Sequence, residues 1–180
     1  MAITRTNQLL KFIKKMDAII LGHSLFIDKE YETFINKFSS TTGADFPKGK
    51  MGNYLTSWYE GYLYCLNLGL NTNSRHYEGY AQKHQKVDRW STQNINQYKY
   101  CIARVLGRED IINELGLNTR ELIVSNYEDL PILLKKVKDI CDQFALGGLH
   151  YLRKEYENDS SLFDDAFALS NIYESSIKTP

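Results

Sequence analysis

His76, Tyr80, His84 and Asp88 follow one another at four-residue steps. On a helix that spacing puts two imidazoles, a phenol and a carboxylate on one face, donors that a transition metal accepts. Distance argues against a single site, because His76 and His84 would stand two turns apart, about 12 Å along the axis. The chain also contains no His-Glu-x-x-His and no Glu-x-x-His, so the zinc-protease and di-iron bundle signatures are missing. The expectation for this face is a solvated polar surface with no metal, unless another helix brings a ligand to His76, His84 or Asp88.

Other chemistries are no better supplied. No Gly-x-Ser-x-Gly elbow singles out a serine nucleophile. Gly43, Gly49 and Gly52 flank Lys48 and Lys50, but neither a Walker nor a dinucleotide spacing is met. Asp164-Asp165 lacks further carboxylates at helical spacing. These residues predict no catalytic site and no cofactor. An enzyme without a recognisable motif is kept as a second alternative.

Recognition chemistry is better represented. Arg75, Lys83, Lys86, Arg89, Lys99, Arg104 and Arg108 face only two acids, Glu78 and Asp88, across the same stretch. Tyr77, Tyr80, Trp90, Tyr98 and Tyr100 are interleaved with them. Arginine beside tyrosine and tryptophan is the make-up of protein-binding hot spots, and also of platforms on which single-stranded bases stack. The carboxy-terminal stretch has the opposite charge: Glu155, Glu157, Asp159, Asp164, Asp165 and Glu174 against Arg153 and Lys154. It suits a basic partner, or the basic segment of its own chain. The expected binding residues are therefore Tyr77, Tyr80, Arg89, Trp90, Tyr98, Glu155, Glu157, Asp164 and Asp165.

The elements that must position them read as helices. Leu9, Phe12, Ile13, Met16, Ile19 and Ile20 recur at three and four, as do Tyr31, Phe34, Ile35 and Phe38. Residues 39–52, with three glycines and Pro47, read as a loop. Asn53 is expected to open a helix with an inner stripe of Leu55, Trp58, Tyr59, Tyr62, Leu63 and Leu66. Ser74 is expected to cap another through Val87, Ser91 one that Gly107 stops, and a short helix follows around Ile111. Asp129 precedes a helix with Pro131 in its first turn. Tyr151–Tyr156 is expected to form a separate helix, and Ser160 or Ser161 to cap the last, which carries Phe163, Phe167 and Ile172. Residues 121–126 are strand-like but too short and solitary to build a sheet.

Glycine punctuates this series. Leu68-Gly69-Leu70-Asn71-Thr72 recurs 47 positions later as Leu115-Gly116-Leu117-Asn118-Thr119. A glycine just past a periodic run is a favoured left-handed helix stop, so both copies predict helix-to-helix corners. Leu21-Gly22, Leu106-Gly107 and Leu146-Gly147 read the same way.

The totals agree with a globular helical protein. The 180 residues include 22 Lys plus Arg and 22 Asp plus Glu, so no global field draws the chain to nucleic acid or membrane, and charge-driven partners must meet a local patch. Cys65, Cys101 and Cys141 are odd in number and set in apolar stretches, which predicts buried reduced thiols rather than a disulfide framework. The apolar run 18–21 is too short for a signal peptide, and nothing approaches the roughly 20 apolar residues of a membrane span. A cytoplasmic protein with no membrane partner is expected.

Tyr54-Leu55, Trp58-Tyr59 and Gly61, followed by Trp90-Ser91 and Val105-Leu106-Gly107-Arg108-Glu109-Asp110, resemble segments of the helical immunity proteins of bacterial polymorphic nuclease-toxin systems. The stretch from Thr92 to Arg104 is polar where that family has an alanine-rich helix, and 70 residues follow Asp110 where the family nearly ends. The resemblance implies a non-catalytic protein that binds one toxin and blocks it. The expected fold is all-α, with residues 1–180 as a single domain, an irregular bundle of about seven to nine helices. The expected function is a cytoplasmic protein-binding module, with a nucleic-acid binder using residues 75–108 as the alternative. Oligomeric state is left open.

Overall fold

The computed structural model describes residues 14, 15, 17, 25–26, 55, 58–76, 84–85, 92–116, 130–165 and 167–178. Five α-helices are found among them: α1 (Trp58–Asn71), α2 (Thr92–Leu106), α3 (Glu109–Glu114), α4 (Leu130–Asn158) and α5 (Ala168–Lys178). A 3₁₀ helix, Ser160–Asp164, links α4 to α5. The strands β1 (Leu25–Phe26) and β2 (His84–Gln85) make one two-residue antiparallel pair, Leu25 opposite Gln85 and Phe26 opposite His84. The all-α class expected from the periodicity holds for these residues. Lys14, Lys15 and Asp17 are helical, as the amino-terminal pattern requires. The helix expected over 31–38, the loop over 39–52 and the strand-like residues 121–126 lie outside the described residues.

Two compact units are present: Met1–Ser24 with Lys86–Ile140, and Leu25–Gln85 with Cys141–Pro180. In the first, α2 buries Tyr98, Cys101, Ile102 and Val105, the three-and-four stripe of an amphipathic helix, and leaves Tyr100 and Ala103 outside. It ends at Leu106, where Gly107 N donates to Ala103 O at 2.9 Å. Ile111 of α3 is fully buried. Gly116 closes α3 with a φ of 64°, so the second copy of the repeated pentapeptide is the left-handed stop it reads as. The first turns of α4 bury Leu134 and Val137 while Lys135 and Lys136 stay exposed. Lys99 of α2 is ion-paired with Asp17.

The second unit corrects the reading of the first copy. Gly69 lies inside α1, and the helix runs on to Asn71. The left-handed residue is Asn73, with a φ of 50°, and Ser74 N reaches back to Gly69 O at 2.9 Å. That is the long bond of a Schellman stop, with asparagine in the place glycine usually takes. The glycine answers a different need. A Cβ on Gly69 would overlap the carbonyl of Phe144, and one on Gly148 would overlap that of Cys65.

Gly147-Gly148 is therefore no corner either. Both sit inside the continuous 29-residue helix α4, and Tyr151–Tyr156 belongs to that same helix. Each mid-helix glycine disfavours the helix by about 1 kcal/mol relative to alanine. Backbone contact across the crossing offsets this, because closely apposed helices gain dispersion along their whole interface.

Around the crossing, α1 is buried on almost every side: Tyr62, Leu63, Cys65, Leu66, Leu68 and Leu70 are all below a tenth exposed. Cys65 and Leu68 join Leu149, Leu152, Phe163, Ala168, Leu169 and Ile172 in one cluster. Fully burying a leucine, isoleucine or phenylalanine contributes roughly 1.5–3 kcal/mol, so this cluster is the main cohesion of the unit. Tyr64 Oη donates to Leu169 O at 2.8 Å, and Asn71 Nδ2 donates to Ser176 Oγ at 3.1 Å, fastening α5 to α1.

Three element boundaries also differ from expectation. α1 begins at Trp58, and Leu55 sits in an isolated β-bridge packed on the cluster. Of the helix expected from Ser74 through Val87, the described residues 74–76 and 84–85 are not helical. Residues 74–76 are tied to α4 by the bond from His76 N to Gln143 O (3.1 Å), and His84–Gln85 pair as β2. Asp159, not Ser160 or Ser161, caps the turn after α4, and α5 starts later, at Ala168.

Candidate functional site

The acidic segment that closes α4 combines exposed charge with exposed apolar side chains. In the last turns of the helix, Arg153 Nε meets Glu157 Oε1 at 2.8 Å, an i,i+4 pair, while Glu155 is half-buried. Such an exposed pair contributes little to stability and leaves Glu157 on the surface. The chain then stops on Asp159, whose Oδ1 accepts from Ser161 N at 3.0 Å. The Ser161 hydrogen bonds hold the Asp159 carboxyl below the ordinary carboxylate range. Those bonds favour the charged form of the carboxylate.

Turn geometry decides which side chains face outward. Phe163 is fully buried and meets Tyr156 edge-on, with ring centroids 5.2 Å apart. Its neighbour Leu162 is 47% exposed. Two residues further, Asp165 Oδ1 accepts from Phe167 N at 2.9 Å, and Asp165 O accepts from Ala168 N at 3.1 Å. This Asx turn sends Ala168 and Leu169 into the core and leaves the Phe167 ring 67% exposed. Leu162 and Phe167 thus stand within five residues of each other, with Asp159, Asp164 and Asp165 exposed around them.

The expected binding residues divide accordingly. Asp164, Asp165 and Glu157 are exposed here, with Glu155 half-covered beside them. Tyr77, Tyr80, Arg89 and Trp90 lie outside the described residues. Tyr98 is corrected: it is 0% exposed and belongs to the inner stripe of α2, while its neighbour Tyr100 is the exposed ring, at 64%. Sequence reasoning missed Leu162 and Phe167 because Phe167 falls in register with an inner stripe if one helix starts at Ser160. The signal that could have found it is Asp165, a capping residue that restarts the helix two positions late.

Several of the basic residues have local partners. Arg75 Nε donates to Gln143 Oε1 at 3.1 Å, and its guanidinium lies 5.4 Å from the centre of the Phe144 ring. Arg108 forks onto Asp110 at 3.1 and 3.0 Å, and this hydrogen-bonded pairing lowers the Asp110 pKa. Lys99 is paired with Asp17, as described above.

Of the four residues expected on one helical face, His76 is outside any helix and His84 is in β2, while Tyr80 and Asp88 lie outside the described residues. The His76 ring instead meets His150 of α4, with centroids 3.9 Å apart and planes tilted by 53°. Cys65, Cys101 and Cys141 are buried and form no disulfide, as expected. Burial pushes the Cys65 thiol up to about 12, which leaves it without nucleophilic thiolate near neutrality. Among the described residues no group of three or more His, Cys, Asp or Glu side chains could hold a metal ion. None of the described helices is long and apolar enough to cross a membrane. No protein-family model, curated protein or solved structure matches this chain.

Proposed function

We propose that this chain is a non-catalytic protein-binding module acting in the cytoplasm, and that it neutralises a cognate toxin as immunity proteins do. The observation that supports the reading is Phe167, an aromatic ring held outward by an Asx turn amid exposed aspartates. An exposed aromatic anchor inside a charged rim is how a recognition surface separates affinity from steering: the ring fills a pocket, and the acids draw in a basic partner. A nuclease toxin has such a basic face, since it must bind nucleic acid. The module rests on an irregular helical bundle, which we take to contain about seven to nine helices in all.

The nucleic-acid alternative draws on residues 75–108, where Tyr100 is exposed. It has less support, because Arg75, Lys99 and Arg108 are engaged by Gln143, Asp17 and Asp110, and Tyr98 is in the core. Affinity capture of the tagged full chain from its native host, followed by size-exclusion chromatography, tests the reading. A stoichiometric complex with one basic protein is expected. A chain that elutes alone, or with nucleic acid that is shed as salt rises, would contradict it.

A further inference from the structure

α5 is seated on its unit by one face. Ala168, Leu169, Ile172 and Ser176 are buried, at the three- and four-residue steps of an inner stripe. The Tyr64 Oη bond to Leu169 O and the Asn71 Nδ2 bond to Ser176 Oγ lock that stripe against α1. The opposite face is held rigid and outward. Phe167 opens it in helical frame, since Asn171 N donates to Phe167 O at 2.9 Å. Ser170, Asn171, Glu174 and Ile177 continue it, all exposed, Ile177 to 60%. Phe167 and Ile177 thus end one face, about 15 Å apart along the axis, with a hydroxyl, an amide and a carboxylate between them.

Two further observations mark this face for contact. Five large apolar side chains are exposed among the described residues, and Leu162, Phe167 and Ile177 of this one stretch are three of them. Single exposed apolar residues are ordinary, whereas a concentration rimmed by polar groups marks an interaction surface. The rim is acidic: Asp164 and Glu174 are exposed, and neither forms an ion pair among the described residues.

We infer that the outer face of α5 is part of the contact surface, and that the protein partner receives it in an apolar groove rimmed by lysine or arginine. This rests on the proposed role of Phe167 as the anchor, and it extends that role to Glu174 and Ile177. A groove engages both ends of a helix face at once, with anchors that recur at helical steps. Bases on its rim answer Asp164 and Glu174, whereas nucleic acid or an anionic membrane would bring like charge to the same place. Because α5 is already fixed on α1, little ordering remains for binding to oppose.

Benzoylphenylalanine, a photocrosslinker, in place of Phe167 or of Ile177 in the full chain within its native host tests the face. Both positions should trap the same protein, at peptides that contain lysine or arginine. With that protein purified, Ile177→Ser should weaken binding by about fivefold or more and Ile177→Leu should retain it. Glu174→Lys should slow association. Both side chains are exposed, so helical circular dichroism should be unchanged, and the crosslinks decide if either variant fails to fold. A crosslink from position 167 alone, with Ile177→Ser binding like the wild type, would overturn the inference and leave the Phe167 reading standing. A crosslink from position 177 to a second copy of this chain, to lipid or to nucleic acid would overturn it too. No crosslink from either position would remove both.

Discussion

Gly69 and Gly148 mark a crossing at which two helices touch backbone to backbone. The position that a Cβ would occupy on Gly148 lies 2.7 Å from Gly69 N, and a Cβ on Gly69 would stand 3.0 Å from Gly148 N. The relationship is reciprocal, so neither helix can give way for a side chain on the other. It places Cys65 and Leu68 against Leu149 and Leu152, and the core of that unit forms around the contact.

Substitution should separate the two kinds of glycine in this chain. Gly148→Ala or Gly69→Ala drives a methyl into a backbone carbonyl, and the loss should reach or exceed the upper end of the 1–3 kcal/mol usual for overpacking. Gly116 has open space but a φ of 64°, so Gly116→Ala should cost only about 1–2 kcal/mol of backbone strain. Asparagine makes the contrast sharper: Gly116→Asn should be nearly neutral, because Asn73 already holds that conformation, whereas Gly69→Asn should not fold. Urea denaturation of the set measures both.

That contrast also shows how much could be read from the sequence. Glycine's conformational freedom is a local property, so the stop at Gly116 and the ends of α2 and α3 were legible. Close approach of a distant backbone leaves no local sign, so Gly69, Gly147 and Gly148 read as corners when they are contact points. Site residues behaved similarly. Acidity around Asp164 and Asp165 is compositional and was visible, whereas the exposure of Phe167 depends on one Asx turn that shifts the helix start. Tyr98 stands at helical spacing between Ile95 and Ile102, so its inner place was legible, and only the bases around it argued for the surface.

The buried carboxylate of Asp142 accepts from Tyr62 Oη at 2.7 Å. Tyr62→Phe removes that donor while keeping the ring, and should destabilise the chain by about 1–3 kcal/mol. The double variant with Asp142→Asn should be less destabilised than the two single losses added together, because the second change removes the charge that the first left poorly solvated. A double-mutant cycle by chemical denaturation measures the difference.

Alkaline pH should unfold the protein earlier than its surface charges alone would. Cys65 is raised by burial from an ordinary 9.0 to about 12, and Tyr64 is raised by burial as well. Each group keeps its proton in the folded chain while the unfolded chain loses it. The contribution is whole below the unfolded value and declines as pH climbs towards the folded one. Stability should therefore fall from about pH 9 through Cys65 and from about pH 10 through Tyr64 as well, by about 1.4 kcal/mol per unit for each such proton. Cys65→Ala should flatten the slope by one proton in denaturation curves taken across that range.

The contact surface is tested most directly with the partner recovered from the host, titrated calorimetrically against the wild-type chain and against Phe167→Ser combined with Glu157→Lys and Asp164→Lys. All three side chains are exposed and none of them supplies the capping oxygen of the turn, so the variant should melt with the wild type. Loss of an aromatic anchor usually removes more than 1–2 kcal/mol of binding, and reversal of the acids slows association with a basic surface. We expect affinity to drop by at least about thirtyfold, with the wild-type association rate falling as salt is added. Equal affinity of the two chains for that partner would contradict the assignment of this acidic, aromatic turn as the binding surface.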